Sequence, residues 1–509
     1  MAVGRHLRGG GLVLAALLAA GCGTTVDLSG VGSGVPTPGS DALGVPTGPA
    51  SPAAVTPGGP APAAVGPSTG GFTADSGDAT EGGAAPPPGQ APGSHRSGGG
   101  GDVTTAIAPG ITDTEIRVGI QTSSDADAGN RAIGAAGAAG RYDYTDVFDA
   151  VIDYANKHGG FAGRKLVPDY FDYSVAKDMT VQDQAACSHW TQDGKVFAIV
   201  GARNDGMKAC AEKAGAISLV SGTSISSTYR KYPHFFEPFG IRLDRLGSVT
   251  VNGLYKSGYF AGRLGMVTWD HPSYHYAIDN DWLPALAAHG LKPATEVQYV
   301  KVPDQLDGVA ATSAAMAGVV QKFKTLGIDH VIIVDGSAGV FSGAGLTLEF
   351  MNQAESQRYR PRYGQNADNA PGWSVLPAAQ MDHALAVLDS DYQEKYDEGI
   401  RPNQAREKCF KIQRDAGHPA EGNEQDMGRA TQVCDIIFFL QQVINSLDVV
   451  TSDSFAQAVS RLGTSFKSSF VYGTKFERGR RDGSEFARTA EYLASCHCLK
   501  YKNAPYATS

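Results

Sequence analysis

Short apolar runs that alternate with helix-length segments restrict the fold of this chain more than any other feature. From Ile111 onward, runs such as "VFAIV" (Val196–Val200) and "HVIIV" (His330–Val334) are separated by segments in which apolar residues recur at helical spacing. Continuous apolar runs are typical of parallel strands that are covered on both faces, and strands separated by helices indicate βαβ units. The pattern predicts an α/β fold with parallel sheets in two blocks, 115–241 and 243–362.

Polar or small residues follow four of the predicted strands. The strand ends read "GARND" from Gly201, "SGTS" from Ser221, "TWDHPSYHY" from Thr268 and "DGSAG" from Asp335. In open parallel sheets, ligands bind beyond the carboxyl ends of the strands. Two blocks that both carry such ends predict a ligand cleft between two lobes.

The N-terminus has the pattern of a bacterial lipoprotein leader. A basic start precedes an apolar run over residues 12–20, which is too short to span a bilayer and is typical of a secretory signal. The run leads into "LLAAGC", which resembles a lipobox although Ala19 stands where leucine is usual. We therefore expect residues 1–22 to be a signal peptide with Cys22 lipidated at its end, and simple secretion is the alternative.

The segment after the leader is expected to be a disordered tether. Residues 23–109 consist mostly of Gly, Pro, Ala, Ser, Thr and Val, and Phe72 is their only aromatic residue. Such a segment cannot bury enough apolar surface to offset its chain entropy. As a flexible coil it would reach roughly 50 Å. The globular part is thus predicted to be extracytoplasmic and lipid-anchored to the outer face of the bacterial cell membrane.

The charge of the chain argues against a nucleic-acid partner. The formal net charge is −9, and the sequence has no basic run or stripe. Nucleic-acid binding proteins carry such basic patches because they neutralise phosphates. We therefore expect no nucleic acid among the partners.

The cysteines favour disulfides. Besides Cys22, six remain, and an even number in an exported chain is typical of a disulfide framework, although six cysteines allow fifteen connectivities. Nearest-neighbour pairing predicts two bridges, Cys187–Cys210 and Cys409–Cys434. The stretch "CHC" at 496–498 supplies too few ligands for a closed metal site. We expect a free or bridged thiol pair there, and no metal.

Several segments resemble, in order and spacing, the type I periplasmic-binding-protein family. They read "EIRVGI", "NKHGGFAGRKLVPDYFDYS", "VFAIVGARND", "YPHFFEPFG", "VNGLYKSGYFAGRLGMVTWD", "KTLGIDHVIIVDG", "QAESQRYRPRYG" and "QVCDIIFFLQQVINS". The most specific piece is "GGFAGRKL". More closely, the chain resembles substrate-binding proteins of branched-chain-amino-acid ABC transporters, over roughly Ile111 to Tyr492.

The resemblance implies two Rossmann-like lobes with parallel sheets, joined by a three-segment hinge and closing on a ligand. By analogy, the first lobe would hold residues 110–243 and 365–460. The second lobe and the C-terminal segment would hold residues 244–364 and 461–509.

The resemblance also implies ligand contacts at the strand ends. Where the family has a serine that holds the ligand carboxylate, this chain has Asp205. Ser224 keeps a hydroxyl where the family has a threonine, and Tyr274 stands at the family's tyrosine without the glycine that follows it. The full set of candidate contacts is Ser123, Ser124, Arg203, Asp205, Thr223, Ser224, Trp269, Tyr274, Asp335 and Ser337.

These candidates also have structural interpretations. Asp205 is suited to cap the helix that follows "VFAIVG", and Arg203 is suited to a solvated loop. Trp269 and Tyr274 are equally compatible with packing between the lobes. The glycines near residue 340 are not followed by the Lys-Ser/Thr pair of a phosphate loop.

Asp205 carries a prediction about the ligand. A helix N-terminus favours an anion, but the Asp205 carboxylate already stands there, and we expect it to occupy the donors itself. A ligand carboxylate at 4 Å would then cost on the order of 4 kcal/mol at an effective dielectric of ~20. The sequence therefore favours a neutral polyol-like, amide or cationic solute, flanked by Trp269 and Tyr274, over ordinary α-amino acids.

We expect a monomeric, non-enzymatic protein without a cofactor that delivers a small polar solute to an ABC permease. A ligand sensor of the same fold, coupled to a membrane signalling partner, is the alternative. An exported hydrolase is a third interpretation, but residues 110–509 contain neither a Gly-x-Ser-x-Gly elbow nor a His-Glu-x-x-His motif.

Overall fold

The computed structural model describes residues 108–125, 144–174, 176–220, 224–303, 305–338, 344–369, 375–390, 403–420 and 424–508. All of them belong to one compact unit, Gly98–Ser509. The predicted signal peptide, the lipidation site Cys22, most of the predicted tether and the candidate contact Thr223 lie outside the described residues. Within the described part of the chain, every helix is too short or too polar to cross a membrane.

The first sheet is built from five parallel strands in the order β2-β1-β3-β4-β5. Their bounds are β1 Glu115–Thr122, β2 Lys165–Asp172, β3 Ala198–Val200, β4 Ile217–Leu219 and β5 Phe235–Phe236. The sheet tolerates no side chain at Gly119, because a Cβ there would lie 2.7 Å from the ring of Trp190. The glycine therefore lets a large aromatic residue pack directly on β1.

The second sheet has eight strands in the order β12-β11-β10-β9-β8-β6-β7, with β13 beside β11. The bounds are β6 Leu264–Asp270, β7 Gln298–Lys301, β8 His330–Val334, β9 Arg362–Gln365, β10 Leu385–Leu388, β11 Phe486–Leu493, β12 Cys498–Tyr501 and β13 Tyr506–Ala507. Strands β6 to β10 are parallel, and the last three are antiparallel additions at one edge.

The helices connect and cover these strands. They are α1 Thr145–Lys157, α2 Met179–Ser188, α3 Asp205–Ala214, α4 Ser226–Lys231, α5 Leu243–Lys256, α6 Pro272–Ala277, α7 Leu283–Ala288, α8 Val309–Thr325, α9 Gly345–Ser356, α10 Ala378–Met381, α11 Gln404–Asp415, α12 Glu424–Ile444 and α13 Ser452–Ser460. Two five-residue π-helical segments extend α2 over His189–Asp193 and join α6 to α7 over Ile278–Trp282. The alternation of strand and helix agrees with the predicted α/β class.

Each sheet has its own hydrophobic core, which defines two lobes. The first core joins strands β1 to β5 to α1, α11, α12 and α13, and it reaches Phe476. The second core runs from Ile241 to Leu388, takes in β11 and β12, and also includes Ile225 just before α4. The chain therefore passes between the cores three times, as the implied three-segment hinge requires.

The predicted lobe boundaries need a correction. We assigned residues 365–460 to the first lobe, but β10 (Leu385–Leu388) pairs with β9 inside the second sheet. We also assigned residues from 461 onward to the second lobe, whereas Phe466 and Phe470 pack in the first core. The physical reason is that "LAVL" completes the parallel sheet as a fully buried strand before the chain crosses back.

A buried ion cluster ties the first crossing to the third. Asp482 has a side chain only 1% exposed, and its Oδ2 accepts from Nε of Arg245 at 2.9 Å. Oδ2 also accepts from the backbone N–H of Arg242 at 3.2 Å. Arg245 lies in the first turn of α5, directly after the first crossing, and Asp482 lies in the third crossing. This buried ion cluster therefore links the two crossings.

The structure places all six cysteines of the globular part at bonding distance in pairs. Cys187 on α2 faces Cys210 on α3, and Cys409 on α11 faces Cys434 on α12; the third pair is Cys496 and Cys498. In both predicted pairs the Cα atoms are 6.0 Å apart. Each of these pairs joins two helices of the first lobe, and their oxidation stays a prediction.

Candidate functional site

The carboxyl edge of the second sheet is lined with polar side chains. The neighbouring strands β6, β8, β9 and β10 are parallel, so they all end at the same edge. The residues at or just after those ends are Asp270, Asp335, Gln365 and Asp389. In the first sheet, β3 ends at Val200 and leads into α3 through Gly201–Asn204. These ends are the positions at which a fold of this class binds ligands.

Helix α3 starts with a cap that is not Asp205. The Oδ1 atom of Asn204 accepts from the backbone N–H of Met207 at 2.9 Å, and Asn204 has the extended backbone of an N-cap. The capping interpretation of Asp205 is therefore wrong by one residue. The expectation that the Asp205 carboxylate would occupy the helix donors is wrong for the same reason.

The Asp205 carboxylate instead meets two lysines. Its Oδ2 lies 3.2 Å from Nζ of Lys231 on α4, and its Oδ1 lies 4.0 Å from Nζ of Lys208 on α3. Lys208 is almost fully buried, and burial lowers the pKa of its amine to about 8. The negative charge of Asp205 is thus partly compensated, which weakens its predicted repulsion of a ligand carboxylate.

A cavity of about 390 Å³ opens beside Asp205. Asp205 belongs to the first lobe, and Pro272, Ser273 and Tyr276 come from α6 of the second lobe. The cavity is completed by residues of the connecting helix α4 and the residue before it: Ile225, Ser227, Thr228 and Lys231. Its walls therefore come from both sides of the interlobe cleft.

Two of the predicted contacts are each other's partners in the second lobe. The Oδ1 atom of Asp335 accepts from Nε1 of Trp269 at 3.0 Å, and both side chains are fully buried. Asp335 also accepts from the backbone N–H of Gly336 and from the N–H and hydroxyl of Thr347. Burial raises the pKa of this carboxyl to about 7. Trp269 and Asp335 thus form a closed polar unit under the strand ends.

Several other buried polar groups near these strand ends have no hydrogen-bond partner. They are the hydroxyls of Ser224, Tyr274 and Ser390, both polar atoms of the Gln365 amide, and Oδ2 of Asp368. Buried polar atoms in folded proteins are hydrogen-bonded with few exceptions, and the exceptions mark sites of ligand, ion or water. Groups of this kind are the ones that a bound polar molecule would satisfy.

Asp368 stands out among these groups. It lies in a turn after β9, where Oδ1 of Asn366 accepts the backbone N–H groups of Asp368 and Asn369. Besides burial, the charges that raise the pKa of Asp368 are those of Asp389, Glu237 and Asp335. Burial first, and then these neighbours, raise the pKa of Asp368 well above its usual range.

Tyr274 is influenced by two of the same carboxyls. Its side chain is fully buried in the second lobe, and its pKa is raised by burial and by the charges of Asp335 and Asp368. The phenol is therefore close enough to both carboxyls to be influenced by them, yet its hydroxyl has no partner.

The remaining predicted contacts are more dispersed. Ser124 donates from its N–H and hydroxyl to Asp172, and Ser123 contacts Asp125. Both serines therefore bind neighbouring carboxylates at the ends of β1 and β2. Arg203 is exposed in the loop before α3, and Ser337 is partly exposed after β8.

Gln365 and Asp368 were not predicted from the sequence. The string "GQNADN" (residues 364–369) covers the end of β9. It shows the same pattern of polar residues at a strand end as the four strings from which the ligand cleft is predicted. As for metals, the described residues hold no group of three His, Cys, Asp or Glu side chains suited to an ion.

The comparisons with known proteins show what this fold is. No protein-family model matches the chain, and no curated protein matches it. Solved structures do match. An ABC transporter substrate-binding protein from Desulfitobacterium hafniense in complex with Leu is 17% identical, with 76% of this chain and 99% of that chain covered at a TM-score of 0.52.

Two further structures have a TM-score of 0.55 and 14% identity. A branched-chain amino acid ABC transporter protein from Thermus thermophilus with bound valine covers 78% of this chain, with 97% of its own length matched. A solute-binding protein of an ABC transporter from R. palustris in complex with 4-hydroxybenzoate covers 77%, also with 97% of its own length matched. At these identities the likeness shows the fold: the chain has the two-lobed type I periplasmic binding fold.

Proposed function

We propose that the protein is an extracytoplasmic solute-binding protein that captures a small polar solute between its lobes and delivers it to an ABC permease. Two observations carry the proposal: a cavity walled by both lobes, and a set of buried, unpartnered polar groups that follow strands of the two sheets. The solved structures of this fold hold small solutes, namely leucine, valine and 4-hydroxybenzoate. A cleft that closes on a solute accounts for both facts.

Binding without catalysis is the proposed mode of action. A serine nucleophile is activated by a base within hydrogen-bond reach. The buried hydroxyls of Ser224 and Ser390 have no hydrogen-bond partner at all among the described residues. Burial also raises the pKa of Asp335, Asp368 and Asp389, which favours their neutral forms relative to exposed carboxyls.

The anchor completes the proposal. Lipidation of Cys22 and a flexible segment up to residue 109 would hold the two-lobed part close to a membrane permease while leaving it free to rotate. Replacing Cys22 by Ser is expected to release the protein into the medium or leave it unprocessed. Unchanged partition into the membrane fraction would contradict lipidation of Cys22, and it would leave the proposed binding function untested.

Native mass spectrometry of the freshly purified full chain tests the binding function. We expect a non-covalently bound small molecule that is lost on denaturation. Tyr274→Phe removes a buried hydroxyl of the site and is expected to reduce the bound fraction. Asp153→Asn, on the exposed face of α1, is the matched control and should retain it. Chemical conversion of the solute during incubation would instead indicate an enzyme.

A further inference from the structure

We propose that the Cys496–Cys498 pair is a site of thiol–disulfide exchange, at which an external thiol forms a mixed disulfide with Cys496. The proposal goes beyond solute binding and does not rest on it. It starts from the placement of the two sulfur atoms, which lie at bonding distance at the turn between β11 and β12.

The two cysteines differ in their access to solvent. Cys496 lies in the turn over residues 494–497 and is exposed. Cys498 is the first residue of β12, is half-buried, and pairs with Leu493 on β11. Access decides which sulfur of a disulfide is attacked. A thiol that arrives from solvent therefore reaches the sulfur of Cys496 before that of Cys498.

The bond between the two sulfurs is not what holds the turn. Strands β11 and β12 are joined by four consecutive residue pairs, from Ala490–Tyr501 to Leu493–Cys498. The bridge encloses a single residue, and the constraint that a disulfide places on the unfolded chain grows with the length of the enclosed loop. Opening the bridge thus leaves the hairpin folded and keeps the two sulfurs close to each other.

The other two cysteine pairs differ from this one in position and are internal references. Cys409 and Cys434 are fully buried, and Cys187 and Cys210 are half-buried on packed helices. These pairs span 25 and 23 residues, respectively. Since access controls exchange, we expect both pairs to remain linked while the exposed pair exchanges.

The exchange reaction balances without an added oxidant or reductant. An external thiol R–SH first loses its proton to solvent, and its thiolate attacks Sγ of Cys496. A new S–S bond forms between R and Cys496, and the bond between Cys496 and Cys498 breaks. The electron pair of the broken bond leaves on Sγ of Cys498 as a thiolate, which takes up a proton from solvent.

The leaving sulfur lies on the same face of β12 as a cation. Side chains alternate between the two faces along a strand. Leu499 is buried, whereas Lys500, two residues after Cys498, is exposed. Positive charge close to a cysteine favours its thiolate over its thiol. Lys500 therefore makes Cys498 the better leaving group.

The carboxylate that faces Lys500 across the hairpin has other partners. Glu491 is in register with Lys500. Its Oε2 lies 2.8 Å from Nζ of Lys502, and its Oε1 lies 2.9 Å from Nδ1 of His383. Lys502 thus balances the charge of Glu491, so the positive charge of Lys500 remains a net contribution beside the leaving sulfur.

The experiment uses the folded full chain, prepared under oxidising conditions, at neutral pH. Glutathione presents the thiol on a small molecule, and a short peptide with one cysteine presents it on a polypeptide. Excess alkylating reagent stops the reaction and labels any released thiol, and peptide mapping without reduction with fragment-ion sequencing locates both groups. We expect the probe on Cys496 and the alkyl label on Cys498 of the same molecule, with Cys187–Cys210 and Cys409–Cys434 still linked.

Variants separate the exchange chemistry from folding. The double variant Cys496→Ser/Cys498→Ser is expected to lose the adduct and to keep the unfolding midpoint of wild type, because the strand pairs hold the turn. Lys500→Gln is expected to slow adduct formation by about threefold, since Cys498 becomes a poorer leaving group. Lys157→Gln changes an exposed lysine on α1 and is the matched control, which should react at the wild-type rate.

The outcomes decide between an exchange site and a structural bond. Adducts with glutathione alone assign the site to small-molecule thiols, and adducts with both probes extend it to cysteines of other proteins. The proposal is overturned if neither probe forms an adduct at this pair, or if adducts form equally at Cys187 and Cys210. A lower unfolding midpoint in the double serine variant also overturns it, because the bond would then be structural. None of these results bears on solute binding, which is measured separately.

Discussion

The indole Nε1 of Trp269 donates to Oδ1 of Asp335 across 3.0 Å, and neither side chain has exposed surface. Both residues were expected to contact a ligand. In the structure they bind each other instead, in the buried interior at the strand ends of the second lobe. A polar residue at a strand end therefore need not contact a ligand, because its side chain can bind a residue at the end of a neighbouring strand.

Replacing Asp335 by Asn is expected to destabilise the protein by about 2–4 kcal/mol. Each carboxylate oxygen of Asp335 accepts from at least one N–H group, so the amide nitrogen of Asn must face a donor. Urea unfolding of wild type and variant measures the loss, with Asp153→Asn as the control. An unchanged unfolding midpoint would show that this network relaxes without cost.

Replacing Asp368 by Asn is expected to stabilise the solute-free protein. The substitution removes a buried carboxyl that lies among acidic neighbours, and we expect a gain of about 1–3 kcal/mol at neutral pH. The gain should be smaller at pH 5, since protonation of Asp368 then costs less relative to the unfolded chain. Stability that falls on substitution, in solute-free protein, would contradict the absence of a partner at Asp368.

These two aspartates show how far the sequence could predict the site. The alternation of runs such as "VFAIV" and "HVIIV" was sufficient for two α/β lobes, because burial of parallel strands leaves a local pattern. Whether Asp335 or Asp368 is free depends on Trp269, 66 residues away, and on Thr347. Such long-range pairings leave no local pattern.

The lobe boundary was missed for a related reason. The strand Leu385–Leu388 has only four residues, and its membership in the second sheet is decided by pairing with Arg362–Gln365. The family's two-block order suggested a crossing near residue 365. The chain adds one more parallel strand and three antiparallel strands to the second sheet before it ends, and only tertiary pairing reveals this.

The free energy of unfolding is expected to fall as pH rises from about 5 to about 7. Burial raises the pKa of Asp335 to about 7 and those of Asp389 and Asp435 to about 6. In this window the folded chain holds protons that the unfolded chain has released, so stability is lost with rising pH. Denaturant titrations across the range measure the slope, and Asp389→Asn should reduce it. A free energy of unfolding that rises over this pH range would contradict the prediction that these buried acids dominate the pH dependence.

Removing the carboxylate of Asp482 is expected to cost about 3 kcal/mol or more, because Asp482→Ala leaves the guanidinium of Arg245 unpaired in a nearly buried site. The matched control is Asp415→Ala, which breaks the exposed pair with Lys411 and should cost less than about 1 kcal/mol. Thermal and urea unfolding compare the two. Equal losses would mean that the charged point between the first and third crossings carries no special stability.

The three cysteine pairs are expected to differ in their resistance to reduction. Cys496 is exposed and its pair encloses a single residue, so that bridge adds little constraint to the unfolded chain and is open to attack. The pair Cys409–Cys434 is fully buried and spans 25 residues, and a loop of that length stabilises by about 3 kcal/mol.

Stepwise treatment of the folded chain with dithiothreitol, followed by alkylation and peptide mapping without further reduction, gives the order. We expect labels first at Cys496 and Cys498, while Cys187–Cys210 and Cys409–Cys434 still map as linked peptides. A sample unfolded in urea is the control, since exposure then no longer distinguishes the pairs. Free thiols at both Cys187 and Cys210 in protein prepared under oxidising conditions would end the predicted pairing, because the helices α2 and α3 would then be held together by packing alone.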